Sequence, residues 1–195
     1  MSLMGSSQVL TAQQMRDAEQ HLFDAGMSEF ELMKLAATKA AEWVRRLAAG
    51  RSVTVLCGPG NNGGDGYVMA HCLQRAGLKT KVVAPEPPKT KTARTALELW
   101  GDEVATSGGS TQGEIFVDCL FGSGLSRPLS NAHVLLLRDL AERHAMAIAL
   151  DVPSGVSSDT GALLNDKLPD FDVTLALGAW KFAHCLVPGL SLIHI

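Results

Sequence analysis

The sequence predicts a three-layer α/β/α sandwich built on a mostly parallel β-sheet, with two helices ahead of it in chain order. From Val53 onward, short β-branched or apolar runs alternate with helical segments, which is typical of βα units around a parallel sheet. Two capping-box patterns precede these runs, and each marks a helix start. The 195 residues are 46% hydrophobic and 19% charged, so one domain over residues 1–195 can bury a substantial core.

Each N-terminal helix is predicted to begin at a Ser or Thr residue, and the side chain of the residue three positions later is expected to hydrogen-bond back to it. The pairs are Thr11 with Gln14 and Ser28 with Glu31. Helix-spaced apolar stripes follow, and we interpret them as packing surfaces in the core or in a dimer. The stripes are Met15, Ala18 and Leu22 in the first helix and Leu32, Ala36, Ala40, Trp43 and Leu47 in the second. We expect the helices to end near Gly26 and Gly50.

The sheet is predicted from five apolar runs and a weaker sixth candidate. The strands are residues 53–57, 79–84, 115–120, 145–151 and 173–177, and the weaker candidate is 103–106. Helices are predicted between them at 67–75, 92–100 and 132–144.

The charge distribution, the lengths of the apolar runs and the cysteine spacing argue against several classes of protein. The 17 Lys and Arg residues are scattered among 20 Asp and Glu residues, which argues against nucleic-acid binding as the main function. No apolar run approaches the roughly 20 residues of a membrane-spanning helix, and the amino end lacks a secretory pattern. The four cysteines lie far apart, so we interpret them as reduced, buried thiols of a cytoplasmic protein rather than zinc ligands or disulfides.

Three segments at carboxyl ends of predicted strands carry the candidate chemistry, because ligands of parallel sheets bind there. Residues 58–66 are rich in glycine and leave amides free to meet an anion at a helix start, which favours a phosphate-bearing ligand over a simple turn. They also satisfy the dinucleotide fingerprint of a dehydrogenase. However, Asn61, Asn62 and Asp65 place side chains where that fingerprint has bare backbone.

The other two segments, residues 118–128 and 151–155, each contain an acid at a strand end. Burial of Asp118 in an apolar strand requires a cation, a donor network or a shifted pKa, and backbone amides alone could satisfy either Asp118 or Asp151. Asn62, Asp118 and Ser154 together offer an all-oxygen site of low charge, which suits potassium. The same three groups could equally hydrogen-bond one another without a metal.

In this order and spacing, the three segments resemble the NAD(P)H-hydrate epimerase family, also known as the YjeF N-terminal domain, over about residues 11–189. The most specific stretch is 55–68, supported by 117–118 with 122–125 and by 151–155 with 159–161. The resemblance implies a Rossmann-like fold, a homodimer, and epimerisation of the R and S forms of hydrated NADH and NADPH, together called NAD(P)HX. This activity repairs damaged nicotinamide nucleotides.

The resemblance also implies roles for individual residues. Those implied to bind NAD(P)HX are Asn61, Asn62, Gly63, Gly64, Asp65, Gly122, Ser123, Gly124, Leu125, Ser126, Arg127, Pro128 and, beside the reacting ring, Asp151. The implied potassium ligands are Asn62, Asp118 and Ser154. Lys181 matches a frequent family lysine but lacks its usual flanking proline and glycine, and residues 32–37 depart from the family pattern Leu-Met-Glu-x-Ala-Gly.

Family domains commonly continue for another strand beyond the position of Ile195, so we expect this domain to be truncated at its carboxyl end. Many bacterial relatives also carry an ADP- or ATP-dependent dehydratase domain, for which 195 residues leave no room.

One hypothesis for the reaction is that a general acid helps hydroxide leave, which gives a planar iminium, and that water returns to the opposite face with a general base. Ring opening and reclosure is the rival route. Asp151 is the first candidate for acid/base catalysis, because an acid at an apolar strand end is expected to have a raised pKa, and Lys181 is an auxiliary candidate. Competing functions are an NAD(P)-dependent oxidoreductase and a non-catalytic binding module on the same fold.

Overall fold

The computed structural model describes residues 8–109, 113–186 and 192–194. Seven parallel strands form one sheet and helices cover both of its faces, so the predicted three-layer α/β/α sandwich is confirmed. Two further short strands pair with each other beside it.

The strands are β1 Val9–Leu10, β2 Val53–Cys57, β3 Thr80–Val83, β4 Val104–Ala105, β5 Gly113–Cys119, β6 His144–Leu150, β7 Val173–Ala176, β8 Trp180–Lys181 and β9 Leu192–His194. The helices are α1 Ala12–Asp24, α2 Glu29–Ala48, α3 Asn61–Arg75, α4 Lys91–Trp100, α5 Asn131–Glu142 and α6 Phe182–Leu186. All six predicted strands are present. The short elements β1, β8, β9 and α6 were not predicted.

The large sheet has the order β4-β3-β2-β5-β6-β7-β9, and every pairing in it is parallel. The chain winds outward from β2 to β4 and then returns to the other side of β2 with β5. Strand order therefore reverses between β2 and β5, and a crevice opens beyond their carboxyl ends.

Alternate residues of each central strand enter different cores, because successive side chains of a strand point to opposite faces. Val55 and Cys57 of β2 pack with α2, α3 and α4 on one face. Leu56, from the same strand, packs with α5 on the other face. These two apolar layers hold the strand ends, and hence the loops that follow them, in fixed positions.

The two N-terminal helices form as predicted, and both capping boxes are complete. Helix α2 packs on the core through a stripe near the predicted one: Met33, Ala37, Ala40, Ala41, Val44 and Ala48. Helix α1 has no buried residue, and Leu22 is 42% exposed. Of the two interpretations of the α1 stripe, core packing is wrong, because this helix lies over the crevice rather than on the sheet, and dimer packing stays a prediction.

Helix α3 begins at Asn61, six residues before the predicted start, so most of the glycine-rich run is helical rather than a loop. Close packing requires glycine at residue 63, where a Cβ would lie 1.9 Å from the Gly58 carbonyl oxygen. A Cβ on Gly64 would instead meet the flexible end of Met33, at 2.5 Å from its Cε. Helix α5 ends at Glu142, before the predicted end at residue 144, because His144 begins β6.

All four cysteines are unpaired, in agreement with the prediction. Cys57 and Cys119 are buried and Cys72 is half-buried, but Cys185 is exposed on α6, so its predicted burial is wrong. Within the described ranges, we find no helix with the length and apolar character needed to cross a bilayer.

Candidate active site

An open cleft of about 690 Å³ lies at the carboxyl ends of β2, β5 and β6, where helices α1 and α2 form part of its wall. It brings together the three predicted segments. The predicted residues that line it are Asn61, Asn62, Asp65, Gly122, Ser123, Gly124, Leu125, Ser126, Arg127, Asp151 and Lys181. Gly63, Gly64 and Pro128 do not line the cleft, and Asp118 and Ser154 are buried behind it.

The amino end of α3 opens into the cleft. Gly60 precedes the helix with an extended backbone and supplies no side-chain cap, so the first amides of the helix face outward at its positive end. Asn61 is held by Thr90, whose Oγ1 donates to Asn61 Oδ1 at 2.6 Å. This arrangement suits an anionic group such as a phosphate.

The loop after β5 is tied directly to the end of β6. The backbone N–H of Ser123 donates to Asp151 Oδ2 at 2.8 Å. A Cβ on Gly122 would lie 2.7 Å from the same oxygen and 3.1 Å from Cγ of Asn62. Only glycine therefore lets this loop approach both side chains.

Asp151 and Lys181 form an ion pair at the cleft, with 2.5 Å between Lys181 Nζ and Asp151 Oδ1. The lysine side chain is 1% exposed and that of the aspartate 10%. Burial by itself would raise the pKa of Asp151, but the Lys181 ammonium and the hydrogen bonds from Lys181 and Ser123 together lower it. The expectation of a raised pKa at Asp151 is wrong, because the sequence did not reveal how close Lys181 lies.

Two other carboxyl groups of the cleft have the opposite tendency. Burial raises the pKa of Asp65 well above its usual range, and the charges of Asp151 and Glu19 raise it further. Burial also raises the pKa of Glu19 on α1, with a further contribution from Asp151. The cleft thus combines one aspartate with a lowered pKa and two carboxyl groups whose pKa values are raised.

Asp118 is satisfied by a donor network, which was one of the predicted alternatives. Ser154 donates to it from the backbone N–H at 2.9 Å and from Oγ at 2.8 Å, and the N–H of Leu120 donates at 3.0 Å. Burial nevertheless outweighs these bonds and raises the pKa of Asp118 to about 6.

The third predicted potassium ligand, Asn62, lies beside Gly122 of the loop after β5, where a Cβ on the glycine would be 3.2 Å from Asn62 Oδ1. Its Nδ2 donates to the Leu150 carbonyl at 3.4 Å, while its Oδ1 is buried without a hydrogen-bond partner among the described residues. The orphaned Asn62 oxygen suits a monovalent cation, whereas the Asp118 and Ser154 oxygens already hydrogen-bond each other and the backbone of Leu120 and Phe121. In the described part of the chain, no cluster of three or more His, Cys, Asp or Glu residues fits a metal such as zinc.

The family model of the YjeF-related protein N-terminus matches residues 29–183. The chain belongs to this family. A bifunctional NAD(P)H-hydrate repair enzyme Nnr from Gloeobacter violaceus is 35% identical over 93% of this chain and 37% of its own length. An NAD(P)H-hydrate epimerase from Roseobacter litoralis is 35% identical over 77% of this chain and 80% of its own length.

The crystal structure of yeast ynu0 superposes on this fold with a TM-score of 0.81 and 23% identity, covering 96% of this chain and 87% of the yeast chain. The chain spans about a third of the length of the bifunctional relatives that it matches. The comparisons therefore establish the YjeF N-terminal family and its fold for this sequence.

Two site residues of this YjeF N-terminal domain were missed in the sequence. Glu19 shares a face of α1 with Met15 and Phe23, all of which line the cleft. Its i, i+4 spacing with both residues is the sequence signal for this face, whereas the predicted stripe passes through Ala18 and Leu22. The second missed residue is His184, which contacts the backbones of both Lys181 and Asp151.

Proposed function

We propose that the chain is an NAD(P)H-hydrate epimerase, which interconverts the R and S forms of NAD(P)HX. The observation that carries the proposal is the buried pair of Asp151 and Lys181 at the cleft, close to the open amino end of α3. A helix amino end suits the diphosphate of a dinucleotide, and a buried acid/base pair suits proton transfer at the modified ring. Names of relatives in the same family support the same reaction.

We assign the proton-transfer roles from position in the cleft and from the directions of the pKa shifts. Asp151, whose pKa is lowered, acts as the general base, and Glu19 or Asp65, which line the same cleft and have raised pKa values, acts as the general acid. The acid protonates the leaving hydroxyl, the C–O bond breaks, and water and a planar iminium form. Asp151 then takes a proton from a water that adds to the other face of the ring. Solvent exchange returns both carboxyls to their starting states.

The experiment that tests the function is incubation with purified R-hydrate, followed by chromatographic separation of the two epimers. An epimerase produces the S form without any change in oxidation state. The alternative, an NAD(P)-dependent oxidoreductase, changes the nicotinamide absorbance when a reducible substrate is added. A non-catalytic binding module causes no absorbance change, and the R form converts to the S form only at the rate measured without protein.

Replacement of Glu19 with Gln is expected to lower kcat about tenfold or more, because the variant loses a carboxyl proton from the α1 wall of the cleft. The effect is smaller than full loss of a general acid because Asp65 remains. Steady-state kinetics of R-to-S conversion measure it. The matched control is Asp17→Asn on the exposed face of the same helix, and a control that loses as much activity as Glu19→Gln would contradict the assignment.

We also propose that Asn62, Asp118 and Ser154 hold a potassium ion that orders the loop after β5. Potassium at concentrations well above its Kd is expected to raise the unfolding temperature by roughly 5 °C relative to tetramethylammonium at equal ionic strength. Asn62→Ala should abolish the difference, because it removes the orphaned oxygen. The control Asn131→Ala, at the exposed start of α5, should retain it. An equal response from both variants would contradict a site at Asn62.

A homodimer and a cytoplasmic location complete the proposal. Apolar side chains exposed on the N-terminal helices support the dimer: Leu22 is 42% exposed on α1 and Leu35 is 53% exposed on α2. Light scattering is expected to give twice the mass of one chain, and Leu35→Glu is expected to shift the mass towards the monomer. A wild-type mass equal to one chain would contradict the dimer. The cytoplasmic location stays a prediction.

A further inference from the structure

We propose that His184 is a positioning residue that holds the backbone of Asp151 in the conformation needed for its pairing with Lys181. The role of Asp151 in this inference rests on the proposed epimerase function. His184 lies in α6, three residues after Lys181, and is 3% exposed. Its imidazole ring lies between the backbones of the two residues that form the ion pair.

Both ring nitrogens contact backbone groups whose roles are fixed. Nδ1 of His184 accepts from the backbone N–H of Lys181 at 2.9 Å. Nε2 lies 2.6 Å from the backbone carbonyl oxygen of Asp151, which can only accept. The ring must therefore be neutral and carry its proton on Nε2. A second proton on Nδ1 would place two donors against each other at Lys181.

The bond to Asp151 falls on a left-handed backbone. Asp151 has φ of +69°, in a region that aspartate, like glycine and asparagine, enters more readily than other residues do. Several contacts hold Asp151 in this conformation. The carboxylate is held by Lys181 and Ser123, and His184 restrains the carbonyl of the same residue.

The contacts form a closed ring. It runs from the Asp151 carbonyl through the His184 imidazole to the Lys181 N–H, and returns from Lys181 Nζ to the Asp151 carboxylate. The ring of Trp180 lies edge-on to the imidazole at 5.6 Å between centroids and limits its rotation. The backbones of Asp151 and Lys181 are thus fixed relative to each other, although the two residues are 30 positions apart in the chain.

Two variants separate the two bonds. In His184→Asn, Oδ1 approximates the position of Nδ1 and can still accept from Lys181, but the donor to Asp151 is lost. In His184→Gln, Nε2 approximates the ring Nε2 and can still donate to Asp151, but the acceptor for Lys181 is lost. Each variant removes one buried hydrogen bond, so both are expected to lower the unfolding temperature by similar amounts.

The proposal predicts that His184→Asn lowers kcat about tenfold with KM within about twofold, and that His184→Gln retains kcat within about threefold of wild type. A histidine with a structural role alone would lower activity in both variants in proportion to their loss of stability. That result, or unchanged kcat in His184→Asn, would overturn the proposal.

A second readout does not depend on activity. Carboxyl carbon NMR is expected to show the pKa of Asp151 rising in His184→Asn but not in His184→Gln, because a loosened pair with Lys181 no longer offsets burial. The other charged side chains that line the cleft, Arg16, Glu19, Glu29, Asp65 and Arg127, are unchanged in both variants. If wild type lacks epimerase activity, the proposed function fails while this titration still decides the positioning role. Equal Asp151 titration in wild type and both variants would overturn it.

Discussion

Replacement of Asp151 with Asn is expected to lower kcat for R-to-S conversion about 100-fold or more while KM stays within about threefold of wild type. Asparagine keeps the size of the side chain and an oxygen for the Ser123 N–H, but it removes the charge that accepts a proton. In the proposed function, the amino end of α3 and the loop after β5 bind the dinucleotide, and the variant leaves both in place. Chromatographic rates over a range of substrate concentrations measure both constants.

The matched control for this variant is Asp170→Asn, an exposed aspartate outside the cleft. Its kinetics should equal those of wild type. Thermal unfolding of both variants verifies that each is folded at the assay temperature, because Asp151→Asn leaves the buried Lys181 ammonium without its carboxylate. Turnover at the wild-type rate in a folded Asp151→Asn variant would remove Asp151 from the reaction.

Replacement of Lys181 with Met is expected to cost about 3–5 kcal/mol of unfolding free energy at neutral pH, because it leaves the buried Asp151 carboxylate without a countercharge. Urea denaturation at neutral pH measures this loss. The double variant Asp151→Asn with Lys181→Met is expected to recover part of it, since it contains neither charge. If Lys181→Met is as stable as wild type, the ion pair contributes nothing to the fold.

The same substitution reverses the pH dependence of stability. In wild type, the pKa of Asp151 is lowered, so its contribution is present above the ordinary value of 3.8 and is lost as pH falls through the lower folded-state pKa. In Lys181→Met, burial raises the pKa of Asp151 above the ordinary value, so stability increases as pH falls towards 3.8. The difference in unfolding free energy between wild type and Lys181→Met should therefore shrink as pH falls through the acidic range in urea denaturation, and a difference that does not change with pH would contradict the pairing.

The central sheet was predictable because its signal is local. Strands such as β2 and β6 are apolar runs flanked by turn residues, and their alternation with helical segments requires a parallel sheet. From the parallel sheet it follows that Asp118 and Asp151 end neighbouring strands on the same edge. The sequence was therefore sufficient to predict that the three segments meet at one cleft.

The pKa shifts of the site could not be predicted from the sequence, because they depend on short elements that no local sequence pattern indicates. Lys181 lies in the two-residue strand β8, which is held by its pairing with β1 near the other end of the chain. Helix α1 starts beside β1, where Asp159 accepts from the N–H of Ala12 at 2.7 Å. The positions of Lys181 and Glu19, and hence the direction of the Asp151 pKa shift, follow from these long-range contacts.

Helix α3 shows a different limit. Glycines at residues 63, 64 and 66 have low helix propensity, so the sequence favoured a loop up to residue 66. The structure instead uses the absence of side chains for packing: a Cβ on Gly66 would lie 2.8 Å from Sγ of Cys57. Tertiary packing therefore overrides local propensity where α3 lies against the sheet and α2.

The most direct measurement of the proposed reaction is conversion of purified R-hydrate in ¹⁸O-labelled water. The epimers are separated by chromatography, and mass spectrometry measures the ¹⁸O content of each. Departure of the hydroxyl and addition of water from the other face, with Asp151 as base, predicts rapid formation of S-hydrate that carries the solvent oxygen, at a rate that falls to near background in Asp151→Asn. S-hydrate that retains the original oxygen, or no S-hydrate above the protein-free rate, would contradict the account.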